Sequence, residues 1–237
     1  MFIVGHRGAR GEAPENTLEG FLYALNNGIR DFELDIRLTG DRELVVFHDA
    51  TLNRATHQKG TIAAIPSDEL IKHDTRIGTI WWDKPAPIPT LKSVFELVGP
   101  DVTIQLEVKP GNKDSIPHIG RRLLELVDQF KRHENSVVTS LDPNVLFWFK
   151  NNAPHLKRGY VAEYRFPNPL AIAESLKCQF LCPNYKMVTR RLVEKAHQRG
   201  LHVSPWTVNR AEEWLYLASL GVDSVITDYP TKALQYI

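Results

Sequence analysis

The sequence predicts an α/β fold, a (β/α)8 TIM barrel of parallel strands with an insertion after strand 2. Three observations carry that prediction. Short β-rich runs alternate along the chain with amphipathic stretches of helical period. Gly28, Gly200 and Gly221 stand at helix-to-strand joints, where a helix C-cap favours glycine. The chain of 237 residues has the length at which such a barrel closes as one domain.

The strand candidates are Phe2–Gly5, Asp31–Leu38, Leu44–Phe47, Thr103–Val108, Ser136–Thr139, Arg158–Ala162, Gln179–Cys182, His202–Ser204 and Ser224–Thr227. Between them, Leu18, Phe21, Leu22 and Leu25 follow i, i+3, i+4, i+7 spacing. Leu123, Leu124, Val127 and Phe130 form a similar stripe, and Val188, Leu192, Val193 and Ala196 another. The candidates exceed a barrel's eight strands by one, and the link from Leu38 to Leu44 identifies the extra. Thr39 to Glu43 is far too short for a parallel crossover and suits an antiparallel turn, so Leu44–Phe47 is expected to fold back as a hairpin arm. The whole chain, 1–237, then reads as one barrel domain holding an insertion at 49–90. That insertion contains four prolines and the pair Trp81-Trp82 but no long helical stripe. Loops of this length commonly form lids or substrate walls; a small satellite core around the two tryptophans is the simpler expectation.

Composition narrows the function classes. An apolar content of 43% allows a sizeable core and excludes collagenous or wholly disordered chains. Lys and Arg total 29 against 28 Asp and Glu, a balance that argues against a dedicated nucleic-acid or anionic-membrane surface but allows a local phosphate pocket. Cys178 and Cys182 are too few for a disulfide framework and lack a matching His/Cys cluster, so two reduced, buried thiols are expected. The opening Met-Phe-Ile-Val-Gly-His has no leader pattern, and no apolar run approaches the ~20 residues of a membrane span. The expectation is a cytoplasmic protein with no membrane anchor and no nucleic-acid partner.

Active sites of such barrels lie at the carboxyl ends of the strands. There the sequence places His6 and Arg7 after strand 1, Glu33 and Asp35 on strand 2, and His48-Asp49 at the end of the hairpin arm. Glu107 and Lys109 come from strand 3, Trp206 from strand 7 and Asp228 from strand 8. Glu33 and Asp35 are two apart on a strand and project from one face. Adjacent carboxylates repel unless a cation lies between them, and Glu107 can supply a third oxygen ligand. An all-oxygen set suits Mg2+ or Ca2+ over zinc. The same acids could instead form structural ion pairs with Arg7, Arg37 or Lys109, and either histidine could be a hydrogen-bonded structural residue. Taken together, a hard cation, two histidines for general acid–base work and the positive charge of Arg7 and Lys109 suit a phosphodiester.

The chain resembles the glycerophosphodiester phosphodiesterases over residues 3 to 230. His6-Arg7-Gly8 followed by Ala13-Pro14-Glu15-Asn16-Thr17 is similar to that family's opening motif. Glu33-Leu34-Asp35 with Val45-Val46-Phe47-His48-Asp49 and then Leu52 and Arg54, Glu107-Val108-Lys109, Trp206-Thr207-Val208-Asn209, and Gly221-Val222-Asp223 with Thr227-Asp228-Tyr229-Pro230 continue the resemblance. Gly40 and Ala55 depart from residues frequent in the family.

The resemblance implies His6 and His48 as the acid–base pair, with His6 the base and His48 the acid. It implies Glu33, Asp35 and Glu107 as ligands of Mg2+ or Ca2+, and Arg7 and Lys109 as phosphate contacts. We add Trp206 as a substrate contact. The implied reaction is hydrolysis of a small-molecule glycerophosphodiester to glycerol 3-phosphate and an alcohol. Glu15 lies in the motif, which implies a supporting place near the metal, and it would equally suit a position before a helix N-terminus. Asn16 is a natural N-cap, with Glu19 three residues on. Two other readings compete: a lysophospholipase D acting on lipid-bearing diesters, and a non-catalytic barrel that binds phosphorylated ligands.

Overall fold

The computed structural model describes residues 1–237. Nine strands share one sheet: β1 (Phe2–His6), β2 (Asp31–Leu38), β3 (Leu44–Val46), β4 (Thr103–Val108), β5 (Ser136–Ser140), β6 (Lys157–Ala162), β7 (Phe180–Pro183), β8 (His202–Val203) and β9 (Ser224–Thr227). Eight run parallel in the order β8-β7-β6-β5-β4-β2-β1-β9. The ninth, β3, pairs antiparallel with the end of β2, Ile36 opposite Val46 and Leu38 opposite Leu44, as the short turn requires. The seam between β8 and β9 is carried by Asp223 N–H donating to Val203 O at 3.1 Å and Ile226 N–H to Pro205 O at 2.9 Å. The predicted barrel with its hairpin arm is the observed architecture.

The helices are α1 (Leu18–Asn26), α2 (Ser67–Leu70), α3 (Leu91–Val98), α4 (Ile116–Gln129), α5 (Pro143–Asn152), α6 (Pro169–Ser175), α7 (Arg190–His197), α8 (Ala211–Leu220) and α9 (Pro230–Ala233). Their apolar stripes face the sheet. In α3, Leu91, Val94, Phe95 and Val98 are buried at i, i+3, i+4, i+7, and Thr90 caps the helix by accepting from Ser93 N–H at 3.1 Å. Gly221 takes the left-handed conformation that ends α8, with φ of 84°. Fifty buried apolar residues form the main core. Inside the barrel, below the carboxyl rim, the filling is polar and satisfied. Cys182 Sγ lies 3.4 Å from Gln105 Oε1, Gln105 Nε2 donates to Ser204 Oγ at 3.1 Å, and Ser224 Oγ donates to Ser204 Oγ at 2.8 Å. Both cysteines are buried free thiols.

Three local expectations change. Val188 precedes α7 instead of joining its stripe, because Thr189 caps that helix through Leu192 N–H; Val188 is buried in the core nonetheless. The N-cap of α1 is Thr17, whose Oγ1 accepts from Gly20 N–H at 3.0 Å, while Asn16 adopts φ of 55° one residue earlier. The insertion builds its satellite core by packing Leu52, Ala55, Ile62, Leu70 and Ile88 on Val45 and Phe47 of the hairpin arm, without the tryptophans. Trp82 instead packs edge-on against Tyr23 of α1, and Trp81 is 62% exposed. The insertion therefore closes against the hairpin arm without either indole and leaves Trp81 exposed.

Candidate active site

Strand register explains how separated residues meet. His6 lies opposite Glu33 across β1 and β2, and Asp35 opposite Glu107 across β2 and β4. Side chains at facing positions of parallel neighbours share a face, so all four enter the barrel mouth. Arg7 and Lys109 follow their strands directly, and His48 follows the hairpin arm. Trp206 follows β8 and donates its indole N–H to Cys182 O at 2.8 Å. All eight sequence-predicted residues reach the carboxyl end of the barrel.

Glu33, Asp35 and Glu107 each offer a carboxylate oxygen within 4.8 Å of the others. Arg7 donates its backbone N–H to Glu33 Oε2 at 3.2 Å, a contact made possible by its left-handed φ of 51°. Its Nε lies 3.1 Å from Asp35 Oδ2. Lys109 Nζ donates to Glu107 Oε1 at 2.7 Å and lies 3.2 Å from Asp35 Oδ1, close enough for ion pairing but not aligned as a hydrogen bond. Structural ion pairs with Arg7 and Lys109 are thus present. Arg37 turns away to the carbonyls of His48, at 2.7 Å, and Lys109, at 3.4 Å.

The ion pairs do not satisfy the acids. Glu33 Oε1 and Asp35 Oδ1 are buried without a hydrogen-bond donor. Burial, then Asp35 and Glu107, push the Glu33 carboxyl well above the usual range. Burial also raises Glu107. Burial would raise Asp35 too, but Arg7 and Lys109 outweigh it and hold that carboxyl well below the usual range. Three clustered acids with two unpartnered buried oxygens form a donor set that fits a hard divalent cation.

The two histidines are wired alike. His6 Nδ1 is 2.6 Å from Asp228 Oδ1, and His48 Nδ1 is 2.7 Å from Asp49 Oδ1. Each carboxylate fixes the proton on Nδ1 and leaves Nε2 for chemistry. His6 Nε2 sits 3.7 Å from Glu33 Oε2. Burial lowers both histidines below their ordinary value.

Sequence reasoning noted the residues that hold this arrangement but did not assign them these contacts. Asn16 donates its side-chain N–H to Asp35 Oδ2 at 3.0 Å, so it orients a carboxylate instead of capping a helix. Asn209 donates to Asp228 Oδ2 at 2.8 Å and accepts from Asp228 N–H at 3.0 Å, which steadies the partner of His6. Glu15 is a hub, taking Arg7 at 3.0 Å, Arg10 at 2.9 Å and Arg54 at 2.6 Å. Burial would raise its carboxyl, but Arg54, Arg7 and Arg10 bring it down to about 2. Arg54 also donates to Asp49 Oδ2 at 2.5 Å, which ties the hub to His48. The only sequence signal for these residues was their presence in the family motifs, Glu15 and Asn16 in the first, Arg54 after His48-Asp49, and Asn209 after Trp206.

A family model, the glycerophosphoryl diester phosphodiesterase family, matches residues 6–232. The chain belongs to this family. A glycerophosphodiester phosphodiesterase of Caldanaerobacter subterraneus subsp. tengcongensis is 33% identical, with 99% of this chain and 97% of the relative covered. One of Bacillus altitudinis is 30% identical, with 98% and 96% covered. Among solved structures, a phosphodiesterase of Oleispira antarctica in complex with the product sn-glycerol-3-phosphate matches with a TM-score of 0.92. It is 28% identical and covers 100% of this chain and 96% of its own. This glycerophosphodiester phosphodiesterase chain is therefore a phosphoric diester hydrolase on a TIM barrel. No helix of the structure is long and apolar enough to cross a membrane.

Proposed function

We propose that the chain hydrolyses water-soluble glycerophosphodiesters to glycerol 3-phosphate and an alcohol, with Mg2+ or Ca2+ held by Glu33, Asp35 and Glu107. The observation that carries this reading is the buried acidic triad with two oxygens lacking donors, set beside two Nδ1-anchored histidines. When bound, the cation would supply charge stabilisation at the phosphoryl oxygens. The remaining work falls to the chain's own residues. His6 Nε2 takes the proton of the attacking hydroxyl, either water directly or the glycerol 2-hydroxyl, whose attack expels the alcohol and leaves a cyclic phosphate that water then opens to glycerol 3-phosphate. His48 Nε2 returns a proton to the leaving alcohol oxygen. Arg7 and Lys109 set positive charge beside the phosphate, and Trp206 supplies a wall at the barrel mouth.

The test is glycerol 3-phosphate release from a panel of diesters, with and without chelator. Chelation abolishes turnover and added Mg2+ or Ca2+ restores it, while Glu33→Ala, Asp35→Ala and Glu107→Ala each lose most of it. Full activity in excess chelator, with no tightly held metal by elemental analysis, refutes the metal site. In the same panel, glycerophosphocholine and glycerophosphoethanolamine should exceed lysolipids in kcat/KM. The opposite order makes the chain a lysophospholipase D.

A further inference from the structure

Two loops carry apolar side chains at the carboxyl end of the barrel that nothing in the protein covers. Phe166, between β6 and α6, is 89% exposed, and Ile80, in the insertion, is 86% exposed. These are the two most exposed large apolar side chains of the molecule, and each has an exposed aromatic neighbour, Tyr164 and Trp81. The two tips stand on opposite sides of the mouth. Trp81 shares a cavity with Arg10, Asp228 and Tyr229, which follow β1 and β9. β6 is diametrically opposite β1 in the ring, reached through β5, β4 and β2 or through β7, β8 and β9.

Unpaired positive charge accompanies the Phe166 tip. A cavity of about 260 Å3 opens between the β6–α6 loop and the first turns of α6 and α7. Arg165, Arg191 and Lys195 line it, and no carboxylate does. Arg165 makes one long contact, from its guanidinium to Lys186 O at 3.5 Å. Both helices begin at the carboxyl end of the barrel, so these cations stand at the same end as the apolar tips. Residues 186–195 hold Lys186, Arg190, Arg191 and Lys195 against Glu194 alone. The even charge balance of the whole chain averages over this local excess.

From this we propose that the carboxyl end of the barrel docks on an anionic phospholipid surface, with Phe166 and Ile80 entering the lipid and Arg165, Arg191 and Lys195 taking lipid phosphates. A protein partner or a second copy of the chain would call for one continuous face with a packed apolar centre. Here the centre is the polar mouth, and the apolar side chains are confined to separate tips around it. A bilayer accepts separate tips, because each reaches the acyl boundary independently. Tyr164 and Trp81 are residue types that settle at that boundary, apolar ring inward and polar edge outward. Arginine and lysine beside them draw the face to an anionic leaflet. The docking does not depend on the hydrolysis reading above.

The experiment is co-sedimentation of the full chain with vesicles of phosphatidylcholine, alone or with about one-third phosphatidylglycerol. The protein should pellet with the mixed vesicles and far less with phosphatidylcholine alone. Phe166→Ser and Ile80→Ser should each weaken that partition about tenfold, since each removes a large apolar group from the lipid. Arg165→Gln and Lys195→Gln should each weaken it about fivefold, the worth of one cation at an anionic surface. Tryptophan emission should shift to the blue on the mixed vesicles, and Trp81→Phe should abolish most of that shift. All these side chains lie outside the acidic and histidine cluster, so unchanged thermal unfolding and unchanged hydrolysis of soluble diesters show that the variants are intact. Failure to pellet with the mixed vesicles overturns the proposal, and so does equal pelleting with both kinds. Pelleting that survives both serine substitutions overturns it too, because bulk charge would then suffice. A dimer in sedimentation equilibrium that Phe166→Ser dissociates, without vesicle binding, makes a second copy the occupant instead. If the wild type docks as expected yet releases no glycerol 3-phosphate from any diester, the docking stands and the hydrolysis reading falls.

Discussion

Replacing Glu15 with Gln tests whether a charged hub holds the rim loops together. Its carboxyl is brought from 4.5 to about 2, with burial opposing and Arg54, Arg7 and Arg10 prevailing. At about 1.4 kcal/mol per pH unit, this depression corresponds to about 3 kcal/mol of folded-state stability. The side chain is only 14% exposed, so solvent screening removes little of that. An acid depressed by folding stabilises fully above its unfolded value, here 4.5, and loses its contribution as pH falls through about 2. The gap between wild type and Glu15→Gln should therefore be about 3 kcal/mol near neutral pH and about 1.4 kcal/mol near pH ~3. Urea unfolding followed by tryptophan fluorescence at both pH values measures it. A neutral-pH gap below about 1 kcal/mol would reduce the hub to an ordinary surface ion pair. A gap equal at both pH values would assign the loss to packing, not charge.

Other outcomes follow from the same geometry. With His6 as base and His48 as acid, kcat/KM should be bell-shaped in pH, its rising limb below the ordinary histidine value of 6.5 because burial lowers His6. Each histidine-to-alanine change should cost about 10²–10⁴-fold on alkyl diesters. His48→Ala should be least harmed on a nitrophenyl diester, whose leaving group needs no proton, whereas His6→Ala should fail on both. The reverse pattern swaps the two roles. At the opposite end of the barrel, Arg132 is buried, donates to Gly99 O and Val102 O, and lies 4.9 Å from the Phe95 ring centroid. Arg132→Met should lower unfolding stability by about 2–4 kcal/mol, since two carbonyls lose their donor, with kcat/KM retained. A loss below about 1 kcal/mol would show that those carbonyls are otherwise satisfied.

The parts legible in the sequence are those governed by strand periodicity. Alternation of side chains fixes Glu33 and Asp35 on one face, and parallel register brings Glu107 and His6 beside them. The short turn after Leu38 dictates the hairpin arm that delivers His48. What the sequence hid depends on contacts closed by the fold. Glu15 and Arg54 lie 39 residues apart, and His6 and Asp228 lie 222 apart. Asn16 shows a local rule losing to a tertiary one. Thr17 can cap α1, whereas buried Asp35 needs a donor, and Asn16 turns left-handed to supply it. The tryptophan pair misled because aromatic residues usually anchor small cores. Here Phe47 of the hairpin arm already supplies that aromatic anchor, and the aliphatic residues around it from Val45 to Ile88 close the insertion without an indole.

The matching wiring of the two histidines means that tautomer alone cannot divide their labour; position must. His6 is 10% exposed at its side chain, deep beside Glu33, and its Asp228 partner is braced by Asn209 on a strand end. His48 is 32% exposed, and its Asp49 partner is braced by the long, part-exposed side chain of Arg54, which also reaches the Glu15 hub. A base must hold one geometry against a nucleophile within the mouth, and rigid bracing suits that task. An acid must meet an oxygen whose remaining substituent points outward and varies from substrate to substrate, and the more open histidine suits it.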